Sequence, residues 1–186
     1  MIMNMNNIVI QILIAALFIG YTGYFTAKSF LLNREYRKEL EKFKSTHKHV
    51  EQYDESKMWT IVSGTMAVFA LVICVLADKV GNPPEQLAYY QIAYGSLGIM
   101  FAGLALETNV RKRIWFADEG FFFVNKYYRY RMIMNYKETK SFGIFRNVEI
   151  LMGNTDRLNV SGKMADQIKE REAQWKEKKK QRKKHR

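Results

Sequence analysis

The chain has 186 residues, of which 48% are hydrophobic, and its 30 Lys and Arg outweigh 18 Asp and Glu to give a formal net charge of +12. Its single cysteine, Cys74, excludes an internal disulfide and a redox dithiol. The mean hydropathy of −0.29 conceals long apolar runs behind a very polar C-terminal part.

Residues 1–27 carry no charged side chain, and Ile8–Ala27 is long enough to cross a hydrocarbon core of about 30 Å. A cleaved signal peptide is not expected, because no basic region precedes the run and the run is too long. Within it Ala16, Gly20 and Gly23 step by four and three along one helix face. Small residues in such a stripe let helix backbones approach closely in lipid. Residues 1–32 thus predict a first transmembrane helix.

Residues 33–57 predict a cytoplasmic amphipathic helix, with Tyr36, Leu40, Phe43, His47 and Val50 as its apolar stripe and charged residues on its other faces. His47, His49, Glu51 and Asp54 lie close together in sequence, but their spacing matches no metal-ligand pattern, so no metal or other cofactor is expected.

Residues 58–107 predict a transmembrane hairpin. Met58–Ala77 and Gln86–Leu106 are charge-free apart from their joining turn, whose Gly81-Asn82-Pro83-Pro84 centre stops one helix and starts the next. Ala67, Ala70 and Cys74 in the first run, and Gly95, Gly98 and Ala102 in the second, repeat the small-residue spacing. Three helices with one packing pattern predict a bundle. Gln11 and Gln91 fall at similar depth in it, where an unpaired amide is costly, and are expected to approach each other or to bind the same polar partner. Basic residues are frequent in 28–57 and at Arg111, Lys112 and Arg113, whereas the hairpin turn holds only Lys79. The expected topology is N-out and C-in.

From Arg111 the period changes from helical to alternating. Strands are expected at 111–117, 121–125, 127–136, 144–152 and 157–160, with Ser161 capping a helix from about Gly162 to Lys180. In 127–136, Tyr128, Tyr130, Met132, Met134 and Tyr136 alternate with Tyr127, Arg129, Arg131 and Ile133. The fold class is therefore an α-helical membrane protein of three transmembrane helices with a small cytoplasmic α+β domain, residues 108–175.

The run Ile114-Trp115-Phe116-Ala117-Asp118-Glu119-Gly120-Phe121, with Val160-Ser161-Gly162 leading into a final helix, resembles the small pleckstrin-homology-like domains of bacterial membrane proteins. The resemblance spans about residues 111–175 and implies a short-stranded barrel closed by a C-terminal helix. The segment is short for seven strands, so an open sheet covered by a helix stands beside a closed barrel.

Residues 176–186 form a polybasic tail, with Lys178, Lys179, Lys180, Arg182, Lys183 and Lys184 against the single acid Glu177. Beside a membrane such a tail gains about 1 kcal/mol per basic residue near anionic phospholipid. Arg129 and Arg131 are expected to face headgroups or a partner. No ionisable residue lies deep in a span, which opposes an ion-coupled transporter. There is no phosphate loop and no Ser-His-Asp set, and Asp118 and Glu119 are adjacent at a turn, so no enzyme is expected. The reading is a plasma-membrane accessory, regulatory or scaffold protein whose partners are the membrane, anionic phospholipid, and another membrane protein or a second copy. Its rivals are a small holin-like pore former or immunity-type protein and a membrane-tethered nucleic-acid binder.

Overall fold

The computed structural model describes residues 5–79, 86–139 and 146–184, with side chains described from Ile12 onward and Lys183 excepted. The Gly-Asn-Pro-Pro turn, the Gln11 side chain and the start of the strand expected from residue 144 lie outside them. The chain divides into two compact units, one of residues 1–34 and 56–109, the other of residues 35–55 and 110–186.

The first unit is helical. Helix α1, Met5–Thr46, contributes its residues up to Arg34; α2 runs Ser56–Val75 and α3 runs Leu87–Arg111. Among the described residues two helices, α1 and α2, are long and apolar enough to cross a membrane. The first half of α3 carries Tyr89, Tyr90, Gln91 and Tyr94 among its apolar residues. On α1, Thr22, Thr26, Ser29 and Asn33 step by four, three and four; the Thr22 and Ser29 hydroxyls donate to the Phe18 and Phe25 carbonyls of α1 itself, and Thr26 and Asn33 reach α3. Thr22, Ser29 and Asn33 are buried, the Thr26 hydroxyl donates to the Ile99 carbonyl at 3.0 Å, and the Asn33 amide donates to the Leu106 carbonyl at 3.5 Å. Hydroxyls that find a carbonyl close this seam without leaving a polar group in an apolar layer.

The second unit is an α+β sandwich. Strand β1 is Glu51–Asp54, β2 Arg113–Ala117, β3 Gly120–Phe123 and β4 Lys126–Arg129, in the antiparallel order β1-β2-β3-β4. A 3-10 turn at Tyr130–Met132 leads into β5, Ile133–Thr139, which pairs with β6, Asn147–Met152, and β7, Arg157–Ser161. Helix α4, Gly162–Lys184, follows at once, and the Ser161 hydroxyl accepts from the Met164 amide at 3.2 Å as its cap.

One core lies between the two sheets and α4. Ile114, Phe116, Phe121, Phe123 and Tyr128 from the first sheet meet Val148, Ile150, Met152, Leu158 and Val160 from the second, with Met164, Ala165 and Ile168 from α4. The opposite face of the first sheet carries the cross-strand ladder Trp115, Phe122 and Tyr127. The C-terminal part of α1 packs there. Phe43 stacks on Phe122 at 5.3 Å, Tyr36 lies 5.9 Å from Phe122 and His47 lies 4.9 Å from Tyr127. The Trp115 indole donates to the Tyr36 hydroxyl at 2.8 Å, and the Lys44 ammonium sits 3.8 Å above the Trp115 ring.

Four expectations need correction. The amphipathic helix expected over 33–57 is the end of α1 and stops at Thr46, where the Ser45 and Thr46 hydroxyls both donate to the Lys42 carbonyl and Glu51–Asp54 becomes an edge strand. The strand expected over 127–136 is two strands in different sheets, broken at Tyr130. A β-bulge between Ile133 and Asn135 leaves Met134 74% exposed while Tyr128 and Tyr130 are buried, so the five residues expected on one face do not share it. Finally, 176–184 is no separate tail but the continuation of α4.

Candidate functional site

The predicted helix-packing residues divide into two groups. Ala67 and Ala70 of α2 are each 6% exposed. Their seam continues to Cys74, whose thiol donates to the Gln91 carbonyl at 3.2 Å and lies 3.4 Å from where a Cβ on Gly95 would stand. A Cβ on Gly98 would meet the Leu71 side chain at 2.7 Å and the Ala67 carbonyl at 3.3 Å, so α2 and α3 lie close together at Gly98. Ala16, Gly20 and Gly23 of α1, and Ala102 of α3, are instead exposed, with no atom within 4 Å of a Cβ placed on Gly20 or Gly23. The contact of α1 with α3 runs instead through the Thr26 hydroxyl and the Asn33 amide, which lie outside the Ala-Gly-Gly stripe.

The predicted basic residues are all at the surface of the second unit wherever their side chains are described. Arg129 ends β4 and Arg131 lies in the 3-10 turn, both exposed. Lys178, Lys179, Lys180, Arg182 and Lys184 are exposed along the last turns of α4, while the Lys183 side chain lies outside the described residues. The last core contact of α4 is Trp175, whose ring lies 6.1 Å from Tyr130. Beyond it the helix is held by a Lys176–Glu172 ion pair at 2.5 Å and by the Lys179 ammonium 5.0 Å over the Trp175 ring.

Sequence reasoning missed a shallow cleft of about 70 Å³ beside this helix, where Arg171, Trp175 and Lys178 face His49, Glu51 and Asp118. Arg171 pairs with Glu51 and lies 5.5 Å from the Phe116 ring. The available signal was the spacing of Arg171, Trp175 and Lys178, which share a helix face at steps of four and three. The cleft joins a basic helix to the β1 edge and presents both signs of charge.

His47, His49, Glu51 and Asp54 do not converge. The His47 ring packs at a tilt against Phe43 and Tyr127, Asp54 pairs with Arg113 at 2.9 Å, and Glu51 pairs with Arg171. Among the described residues no group of three or more His, Cys, Asp or Glu could hold a metal ion.

Several phenols of this unit are held neutral. Burial and then the 2.9 Å bond to Glu55 push Tyr53 up to about 12. Burial and then Asp156, 3.4 Å away, push Tyr128 up to about 12. Tyr130 is raised by burial, and Tyr136 by burial and then by its 2.8 Å bond to the Glu172 carboxylate. Each phenol donates or sits dry, so ionisation would place a charge in the core or beside a carboxylate.

Comparison of the chain with protein-family models, with curated proteins and with solved structures found no match in any of the three.

Proposed function

We infer that this protein is an integral membrane scaffold or accessory subunit that holds a basic α+β module at the cytoplasmic face of a bilayer, for anionic phospholipid or another membrane protein to engage. The observation that carries the reading is the exposure of apolar side chains on the first unit. Leu17 is 73% exposed, Ile61 68%, Val68 63% and Val75 75%, among more than a dozen others on the same helices. In water such a surface far exceeds what a monomeric protein presents, whereas in hydrocarbon it is solvated. On this reading α1, α2 and α3 are three spans, oriented N-out by the basic residues that flank them.

On the same reading the second unit is a pleckstrin-homology-like module. It has four strands and then three, stacked around one core, with a helix directly after the last strand. The module follows α3 after one residue, Lys112, a reach of about 7 Å between Arg111 and Arg113. A basic module joined in sequence to a span is attracted to a negative leaflet wherever its Lys and Arg come within a Debye length, about 8–10 Å.

Two measurements test this. The protein should resist extraction from membranes by alkaline carbonate and yield to detergent. Reporter fusions at Lys48 and Arg186 should read as cytoplasmic and one at Asn82 as external. An external signal from Lys48 or Arg186 overturns the orientation, and release by carbonate overturns the insertion.

A further inference from the structure

The last turns of α4 are helical although their like charges repel one another along the helix. After Trp175 no described side chain packs on the core, and Lys176, Lys178, Lys179, Lys180, Arg182 and Lys184 are all exposed. Like charges stand four residues apart at Lys176 and Lys180, Lys178 and Arg182, and Lys180 and Lys184, a spacing that repels on a helix surface. Cations favour a helix C-terminus, but that effect is confined to the last turn, and the repulsion begins two turns earlier. Helical turns without a packed face are marginal in water. A polyanion that neutralises the side chains removes the repulsion and leaves the helix to propagate from the anchored part of α4.

We propose that residues 176–184 are an anionic-phospholipid-dependent helix, ordered as seen here when seated on acidic headgroups and frayed back to Lys176 when the facing surface is neutral. This rests on the membrane reading above. The segment has no apolar residue after Trp175, so it lies on the headgroups by charge and does not insert. Lipid is favoured over nucleic acid by two features. The segment holds no aromatic side chain on which bases could stack, and its cations are mostly lysine, whose point charge suits a diffuse anionic surface better than bidentate phosphate recognition.

The test is amide hydrogen exchange of the full-length protein in nanodiscs of phosphatidylcholine alone and in nanodiscs of equal parts phosphatidylcholine and phosphatidylglycerol. Residues 162–175 serve as an internal control for the folded module and should be protected in both. Residues 176–184 should exchange about tenfold or more slowly only in the acidic discs. That difference should vanish in 1 M salt, where the Debye length falls to about 3 Å. The variant Lys178→Glu with Lys180→Glu turns the repelling pairs into attracting ones. It should be protected equally in both discs, which separates helix repulsion from a fold defect. Equal exchange of wild-type 176–184 in the two discs overturns the proposal. So does protection that arises only when single-stranded RNA is added to neutral discs, which would make nucleic acid the partner. A protein that stays in solution and does not enter either disc overturns the membrane reading itself, and the proposal with it.

Discussion

At Gly120 the β2–β3 hairpin leaves no space for a side chain. A Cβ there would stand 2.1 Å from the Tyr128 carbonyl oxygen and 2.9 Å from the Arg129 Cα, both backbone atoms of the neighbouring strand. Backbone cannot swing aside as a side-chain tip can, so Gly120→Ala must push β4 off β3. The expected cost is about 1–3 kcal/mol, read as faster amide exchange confined to β2–β4. The tyrosines make a second residue-level prediction. Tyr53 and Tyr128 are both pushed up to about 12 from an ordinary 10. A folded-state value above the unfolded one means the fold favours the neutral phenol. Their contribution is complete below pH 10 and is lost as the pH climbs from 10 toward 12. The module should therefore lose its near-ultraviolet circular dichroism across that window. Tyr128→Phe, which removes one of these titrations, should move the midpoint upward. A midpoint well below pH 10 would mean that some other group controls alkaline unfolding.

Among the elements, α1 and α3 of the first unit respond differently to the same substitution. On α3, Gly98→Leu collides with Leu71 and with the Ala67 carbonyl, so α2 and α3 must separate at a cost of about 1–3 kcal/mol. On α1, Gly20 faces open space, and Gly20→Leu should raise helix stability by up to about 1 kcal/mol by removing a glycine from a helix interior. Thermal unfolding in detergent compares the two, and a loss of stability with Gly20→Leu would reveal a second copy seated on that face. The element level also shows what the sequence could and could not disclose. Of the expected stripe Tyr36, Leu40, Phe43, His47 and Val50, helical periodicity disclosed Tyr36, Phe43 and His47, which lie on the first sheet, whereas Val50 falls beyond the end of α1. The face they cover carries Trp115, Phe122 and Tyr127, while Tyr128 and Tyr130 belong to the core on the other side. Alternation reports that two faces exist, and only the partner of each strand decides which face is the core. Strand β1 was hidden because Glu51-Gln52-Tyr53-Asp54 is short, polar and at a sheet edge, where charge is tolerated and hydrophobic signal is weak. The break at Tyr130 was hidden because a chain that leaves one sheet for another can keep alternating through the corner. The basic residues of α4 are contiguous in the sequence and so were legible as a charged run, while the cleft beside them depends on β1 and could not be seen without it.

For the molecule as a whole, the second unit is discontinuous in sequence, assembled from residues 35–55 and 110–186 with the α2–α3 helices inserted between. Neither piece carries a complete fold. Without residues 35–55, β2 becomes an unpaired edge, because all four residues of β1 pair with Arg113–Phe116 and Asp54 holds Arg113 at 2.9 Å. Ser161 at the start of α4 also loses Glu55, to which it donates at 2.5 Å. Most of all, the ladder of Trp115, Phe122 and Tyr127 is bared to water once Tyr36 and Phe43, 3% and 5% exposed, are removed. Burying each such side chain contributes roughly 1.5–3 kcal/mol, and the ladder loses a comparable amount on its own side. That sum approaches the whole stability of a small domain, about 5–15 kcal/mol. A fragment of residues 110–186 should therefore be largely unfolded or aggregated when expressed alone, with exchange-labile amides in β2–β4. Joining residues 35–55 to its N-terminus through a flexible linker should restore dispersed amide resonances, and the same fusion carrying Phe43→Asp should not. A well-folded 110–186 fragment would mean that the helix and strand supplied by 35–55 decorate the module instead of completing it.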